Sequence, residues 1–90
     1  NIQDPIKKLI IKGYEIISVE QTKKSLLLNE YKPKNKVAFI FGNEVKGVSK
    51  ESLELSDLHI EIPQYGEKKS MNVTICTGIV LWDFYQKKRT

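Results

Sequence analysis

Two short stretches of this chain hold the residue types that chemistry needs. One is Ile62-Pro63-Gln64-Tyr65-Gly66-Glu67-Lys68-Lys69-Ser70-Met71-Asn72-Val73, where a proline and a glycine shape a loop and a polar triplet leads into an apolar helix. Backbone N–H groups at a helix start lack intrahelical partners, so they can hold a polar ligand together with the Ser70 and Asn72 side chains. The other is Gly42-Asn43-Glu44-Val45-Lys46-Gly47-Val48-Ser49, which starts twenty residues earlier and follows an apolar run. Gly42 has no Cβ and lets a flat ligand approach the backbone. Asn43 and Glu44 are polar groups beside a strand end, where open α/β sheets place their ligands. Each stretch also has a plainer account: two glycines make a tight strand-to-helix turn, Glu44 is a solvated turn carboxylate, and Ser70 is an N-cap.

Periodicity indicates the elements that carry these stretches. Asp4 before Pro5 marks a helix start, with aspartate as the cap and proline at the first helical position. Ile6, Leu9 and Ile10 form its apolar stripe, and Gly13 ends it in a left-handed cap. Residues 14–19, rich in aromatic and β-branched types, predict a strand. Residues 20–35 are polar and lysine-rich apart from Leu26, Leu27 and Leu28, and predict a loop with at most one helical turn. The continuous apolar run 37–41 predicts a strand buried on both faces of a parallel sheet. Ser49 can cap a short helix over 50–55. Residues 58–62 alternate and predict a half-exposed strand, with Glu61 on its polar side and His59 at the surface.

The longest helix runs from Met71 to about Lys88, with Val73, Cys76, Ile79, Val80, Trp82, Phe84 and Tyr85 around most of its circumference. A helix apolar over that much of its surface needs partners on more than one side, and one of them can be a second subunit. The succession of elements predicts a parallel α/β fold with helices flanking the sheet.

Bulk composition narrows the classes. Ninety residues, 40% apolar and 29% charged, make one small domain, and no run approaches the ~18 apolar residues of a membrane span. The net charge of +4 fits a polyanionic partner without demanding one. Lys23, Lys24, Lys32, Lys34 and Lys36 could meet phosphates, although a lysine run is also what a solvated face looks like. The single cysteine, Cys76, excludes an intramolecular disulfide and a cysteine-based metal cluster; together with the lack of a signal-like start it points to a reducing, cytoplasmic setting. No metal is expected. Asn72-Val73-Thr74 matches a glycosylation sequon by chance in this reading, since it lies at a helix start.

Taken together, the two stretches resemble the second and third motifs of the SpoU/TrmH family of RNA ribose 2′-O-methyltransferases, the knotted SPOUT class. Those motifs run Gly-x-Glu-x-x-Gly-hydrophobic and Ile-Pro-x-x-Gly-x-x-x-Ser-Leu-Asn-Val. Every fixed position is matched except that Met71 stands for leucine. The resemblance implies a C-terminal trefoil knot, S-adenosylmethionine as cofactor, and a homodimer built through the last helix and the knot. It places cofactor contacts at Gly42 and Asn43 and at the backbone of Ile62 and Met71. It gives Glu44 the task of holding an arginine in the catalytic pocket, and gives Ser70 and Asn72 side-chain hydrogen bonds there. The substrate it implies is RNA, either tRNA at a guanosine or rRNA.

The family's first motif, which carries the catalytic arginine, has no counterpart here, and the only arginine is Arg89. Residues 1–90 are therefore read as the C-terminal part of a single SpoU domain, in a chain that starts without methionine and reads as a fragment or processed product. Two alternatives stand beside that reading: a catalytically silent RNA-binding or dimerisation module, and a generic nucleotide-binding α/β domain.

Overall fold

The computed structural model describes residues 3–42, 46–63 and 73–89. The chain runs α1 (Gln3–Ile11), β1 (Glu15–Val19), β2 (Leu26–Leu27), a 3-10 turn (Leu28–Glu30), β3 (Val37–Phe41), α2 (Lys50–Leu55), β4 (Leu58–Glu61) and α3 (Val73–Arg89). α1 starts one residue ahead of Asp4, so this aspartate lies in the first turn beside the positive end of the helix dipole, not at the cap. Gly13 ends α1 at φ 89°, as its sequence position predicts. Ser49 caps α2 by accepting the Ser52 N–H.

All the strand pairings are parallel, in the order β2-β4-β1-β3. The strand buried on both faces is β1, where Ile16, Ile17 and Ser18 are completely covered. The apolar run 37–41 predicted that role for β3, but β3 is an edge strand among the described residues and is half-buried at every position. An apolar run reports apolar surroundings; it carries no information about which strands lie alongside.

Alternation along β1 separates two layers. Ile17 and Val19 face α3, clustering with Ile60, Leu28, Tyr31 and Val80. Ile16 and Ser18 face the opposite way, toward the layer formed by α1 and α2. There the Ser18 hydroxyl meets Ser56 Oγ, Ser56 Oγ donates to Ser52 O, and Asp57 Oδ2 accepts the Ile16 N–H at 2.7 Å. Buried hydroxyls are tolerated in this layer because each has a partner.

Residues 20–35 depart furthest from expectation. One helical turn is present, as the 3-10 turn, but Leu26–Leu27 also pairs with β4 as a strand, and Leu28 and Tyr31 belong to the core. A two-residue strand is too short to leave a periodicity. Lys87 Nζ locks this segment to α3 by donating to Leu28 O at 2.7 Å and Tyr31 O at 2.6 Å. His59, expected at the surface, is half-buried; Nε2 donates to Leu53 O at 3.1 Å and Nδ1 lies 3.0 Å from Thr22 Oγ1.

α3 is apolar on more sides than the described residues cover. Val80 is buried, whereas Ile75, Leu81, Trp82 and Tyr85 are 58%, 49%, 65% and 63% exposed. No helix among the described residues is long and apolar enough to cross a membrane. The loop to which the resemblance assigns the knot lies mostly in 64–72, outside the described residues.

Candidate functional site at the carboxyl ends of the strands

Parallel strands end together, and three of them end in residues of interest. Gly42 follows β3, Ile62 follows β4, and Glu20 follows the strand between them. Val19 pairs with Phe41 on one side and Ile60 on the other, so Glu20 sits at the centre of this edge. With neighbouring strands about 4.8 Å apart, Gly42 and Ile62 stand roughly 10 Å from each other. The sheet thus brings the described ends of both motifs to one side of the molecule.

The loop after β3 closes on itself. A Cβ added to Gly42 would run into the backbone of Gly47 and Val48. This corrects the expectation that the missing side chain makes room for a ligand: the chain's own backbone fills that room. Gly47 has φ 69°, and a Cβ there would meet the Glu20 carboxylate. Gly42 is therefore required by packing against backbone, and Gly47 by its left-handed φ, where a side chain would also displace the Glu20 carboxylate.

Glu20 is the residue that sequence reasoning missed. Its Oε2 accepts the Val48 N–H at 2.8 Å and its Oε1 accepts the Gln21 N–H at 3.3 Å. Its own N–H donates to Ile60 O at 2.9 Å. One residue thus joins β1, β4 and the loop. The available signal was its place as the first polar residue after a buried strand, at the sheet edge where α/β folds keep ligands. The lysines that follow it made the position read as an ordinary loop.

Cys76, early in α3, is half-buried near this edge. Burial, and secondarily the negative charge of Glu20, push its thiol up from the ordinary range. It stays protonated at neutral pH and is a poor nucleophile. Asn43, Glu44, Ser70, Met71 and Asn72 lie outside the described residues. Among the described residues, no group of three or more His, Cys, Asp or Glu could hold a metal ion.

An open parallel α/β sheet with polar loops at the carboxyl ends of its strands defines a broad class of ligand-handling domain. Comparison with known proteins narrows it. The family model described as SpoU rRNA Methylase matches residues 1–82, and the chain belongs to that family. Over 90 residues it is 32% identical to a tRNA (guanosine(18)-2'-O)-methyltransferase of Aquifex aeolicus, an alignment covering 97% of this chain and 43% of that protein. A Borreliella burgdorferi protein of the same name is 34% identical over 89 residues, covering 99% of this chain and 41% of the relative.

Among solved structures, the A. aeolicus TrmH/SpoU tRNA modifying enzyme superposes with a TM-score of 0.91 at 30% identity, covering 99% of this chain and 45% of that one. An AdoMet-bound rRNA methyltransferase from Sinorhizobium meliloti superposes with a TM-score of 0.84 at 25% identity, covering 93% and 32%. The chain spans less than half the length of these relatives.

Proposed function

We propose that this chain is the C-terminal, cofactor-holding part of a SpoU domain that methylates a ribose 2′-hydroxyl of RNA, with tRNA at a guanosine as the favoured substrate and rRNA as the other. The observation that carries the reading is the convergence of Gly42 and Ile62, the described ends of two family motifs, on either side of Glu20 at the carboxyl edge of a parallel sheet. Relatives named as tRNA and rRNA methyltransferases, one solved with AdoMet bound, support it.

The carboxyl edge fits S-adenosylmethionine in kind: two strand ends roughly 10 Å apart, one followed by a loop whose backbone at Gly47 and Val48 lies close against Gly42. That cofactor supplies an electrophilic methyl carbon on a sulfonium. In this reading Gly42 and Asn43 hold it from one side, and Ile62 and Met71 from the other, through their backbones. Ser70 and Asn72 orient the pocket by side-chain hydrogen bonds. Glu44 holds an arginine positioned to take the 2′-hydroxyl proton. Positioning is the chain's main contribution, because the leaving group is already good.

Arg89 does not fit that catalytic task. It closes α3, a 17-residue helix that starts at Val73, the last residue of the third family motif, so it lies about 25 Å further along the axis. The arginine then comes from outside residues 1–90, in cis or from a second subunit. The exposed apolar side of α3, with Ile75, Leu81, Trp82 and Tyr85, is the surface proposed for a homodimer in the cytoplasm. The single arginine equally favours a silent binding module as the second reading.

A calorimetric titration of the chain with S-adenosylhomocysteine tests the proposal. Saturable one-to-one binding is expected. No binding would overturn the cofactor-holding role assigned to this chain.

A further inference from the structure

We propose that the amino ends of the strands form a second RNA-backbone contact surface, built from Lys12, Lys34, Lys36 and Lys88; this rests on the reading of RNA as substrate. Lys12 follows α1, Lys34 and Lys36 precede β3, and Lys88 lies in the last turn of α3, all four exposed. Their contacts place them in one neighbourhood. Lys36 Nζ donates to Lys12 O at 3.3 Å, and Lys88 Nζ donates to Lys34 O at 3.0 Å and Asn35 Oδ1 at 3.4 Å. Lys34 Nζ stands 3.9 Å from Glu15 Oε2, and the Glu15 N–H donates to Lys36 O at 2.8 Å.

Three separate segments thus bring four exposed lysines to one end of the sheet, a concentration of like charge that does not favour folding. The acids in contact with this region are already engaged: Glu15 accepts the Tyr31 hydroxyl at 2.9 Å and faces Lys34, and Asp83 pairs with Lys87 at 2.7 Å. Rings steady two of the lysines, with Tyr14 5.8 Å from Lys36 Nζ and Phe84 5.9 Å from Lys88 Nζ. Cations held in place yet facing water suit phosphates, and phosphate contacts fix the position of a nucleic acid without reading its sequence. β1 spans five residues, which sets this surface about 15 Å from the candidate site. It is too far to touch the reacting ribose and close enough to hold flanking backbone of the same RNA.

The test is binding of an unmodified tRNA transcript across a salt series. It compares the wild-type chain, the variant Lys12→Gln/Lys36→Gln/Lys88→Gln, the same three positions changed to arginine, and a charge-matched control, Lys7→Gln/Lys24→Gln/Lys50→Gln. The first variant is expected to lose about tenfold or more in affinity, with its logarithmic salt slope reduced by about 2, near 0.7–0.9 per lost phosphate contact. The arginine variant keeps wild-type affinity and slope, and the control loses less. Equal losses in the two glutamine variants would assign the effect to net charge and overturn the surface. A wild-type chain that binds no tRNA, or that binds only phosphatidylserine vesicles through these lysines, would also overturn it. Titration of the same samples with S-adenosylhomocysteine is read separately, so failure of the surface and failure of the cofactor reading are told apart.

Discussion

The two ends of this sheet are made from the same strands by different means. At the carboxyl end the main chain does the shaping: Gly42 lies against the backbone of Gly47 and Val48, and one carboxylate, Glu20, accepts the Val48 N–H. At the amino end side chains do it: Tyr31 donates to Glu15, Lys34 faces Glu15, and Lys36 and Lys88 donate to main-chain oxygens of Lys12 and Lys34. The first arrangement tolerates almost no added atom, because backbone cannot swing aside as a side chain can. The second depends on charge and tolerates exchange of shape.

The sharpest break in that comparison is Gly42→Val. We expect no detectable S-adenosylhomocysteine binding and a melting temperature lowered by many degrees, at roughly 4–8 °C per kcal/mol for a domain of this size. Gly42→Ala should fail in the same direction, since the first added carbon already meets backbone. Lys36→Val, an exposed change at the other end, should stay within about 0.5 kcal/mol of wild type. If Gly42→Ala melts and binds as wild type does, the loop does not depend on the close approach, and the contrast between the ends fails.

Glu20 gives the next effect. Glu20→Ala leaves the buried Val48 N–H without its acceptor, which costs about 1–3 kcal/mol in a urea melt. Ligand affinity should fall with it, as the loop loses its tie to β1. Glu20→Gln keeps an acceptor oxygen and should recover most of both. One readout separates charge from shape. Removing the Glu20 charge lets the Cys76 thiol move down toward its ordinary range in both variants, so a thiol reagent should react faster with each. The increase is modest, because burial is the larger cause.

How much of this was legible in the sequence follows from the range of each interaction. α1 with its glycine cap, α2 with its serine cap, and the strands β1, β3 and β4 rest on local spacing and were readable from the sequence. Gly42 and Gly47 announced a tight loop, but what fills the space beside each is a long-range fact. Glu20 was not legible because its partner Val48 is 28 positions away, and Tyr31 was not because Glu15 lies 16 away across a polar, lysine-rich stretch. The same holds for β2, whose two residues show their strand character only beside β4. The buried place of β1 and the edge place of β3 depend on the crossing of α2 over the sheet, which no periodicity encodes.

The smallest predicted effect sharpens the amino end. At neutral pH, Tyr31→Phe removes one hydrogen bond to Glu15 and should cost about 1 kcal/mol. Burial first, then the hydrogen bond and the charge of Glu15, raise the Tyr31 hydroxyl well above its ordinary range. An unfolded chain releases that proton near pH 10, while the folded chain keeps it. Above that pH the unfolded state binds fewer protons than the folded one, so wild-type stability falls as pH rises. The Tyr31→Phe variant has no such proton to hold. Its deficit should therefore be full at pH 7 and shrink as pH rises past about 10. A deficit that stays constant from pH 7 to 11 would mean that the phenol ionises as freely in the folded chain as in the unfolded one. The Tyr31–Glu15 pair would then not be the buried anchor beneath the lysine surface.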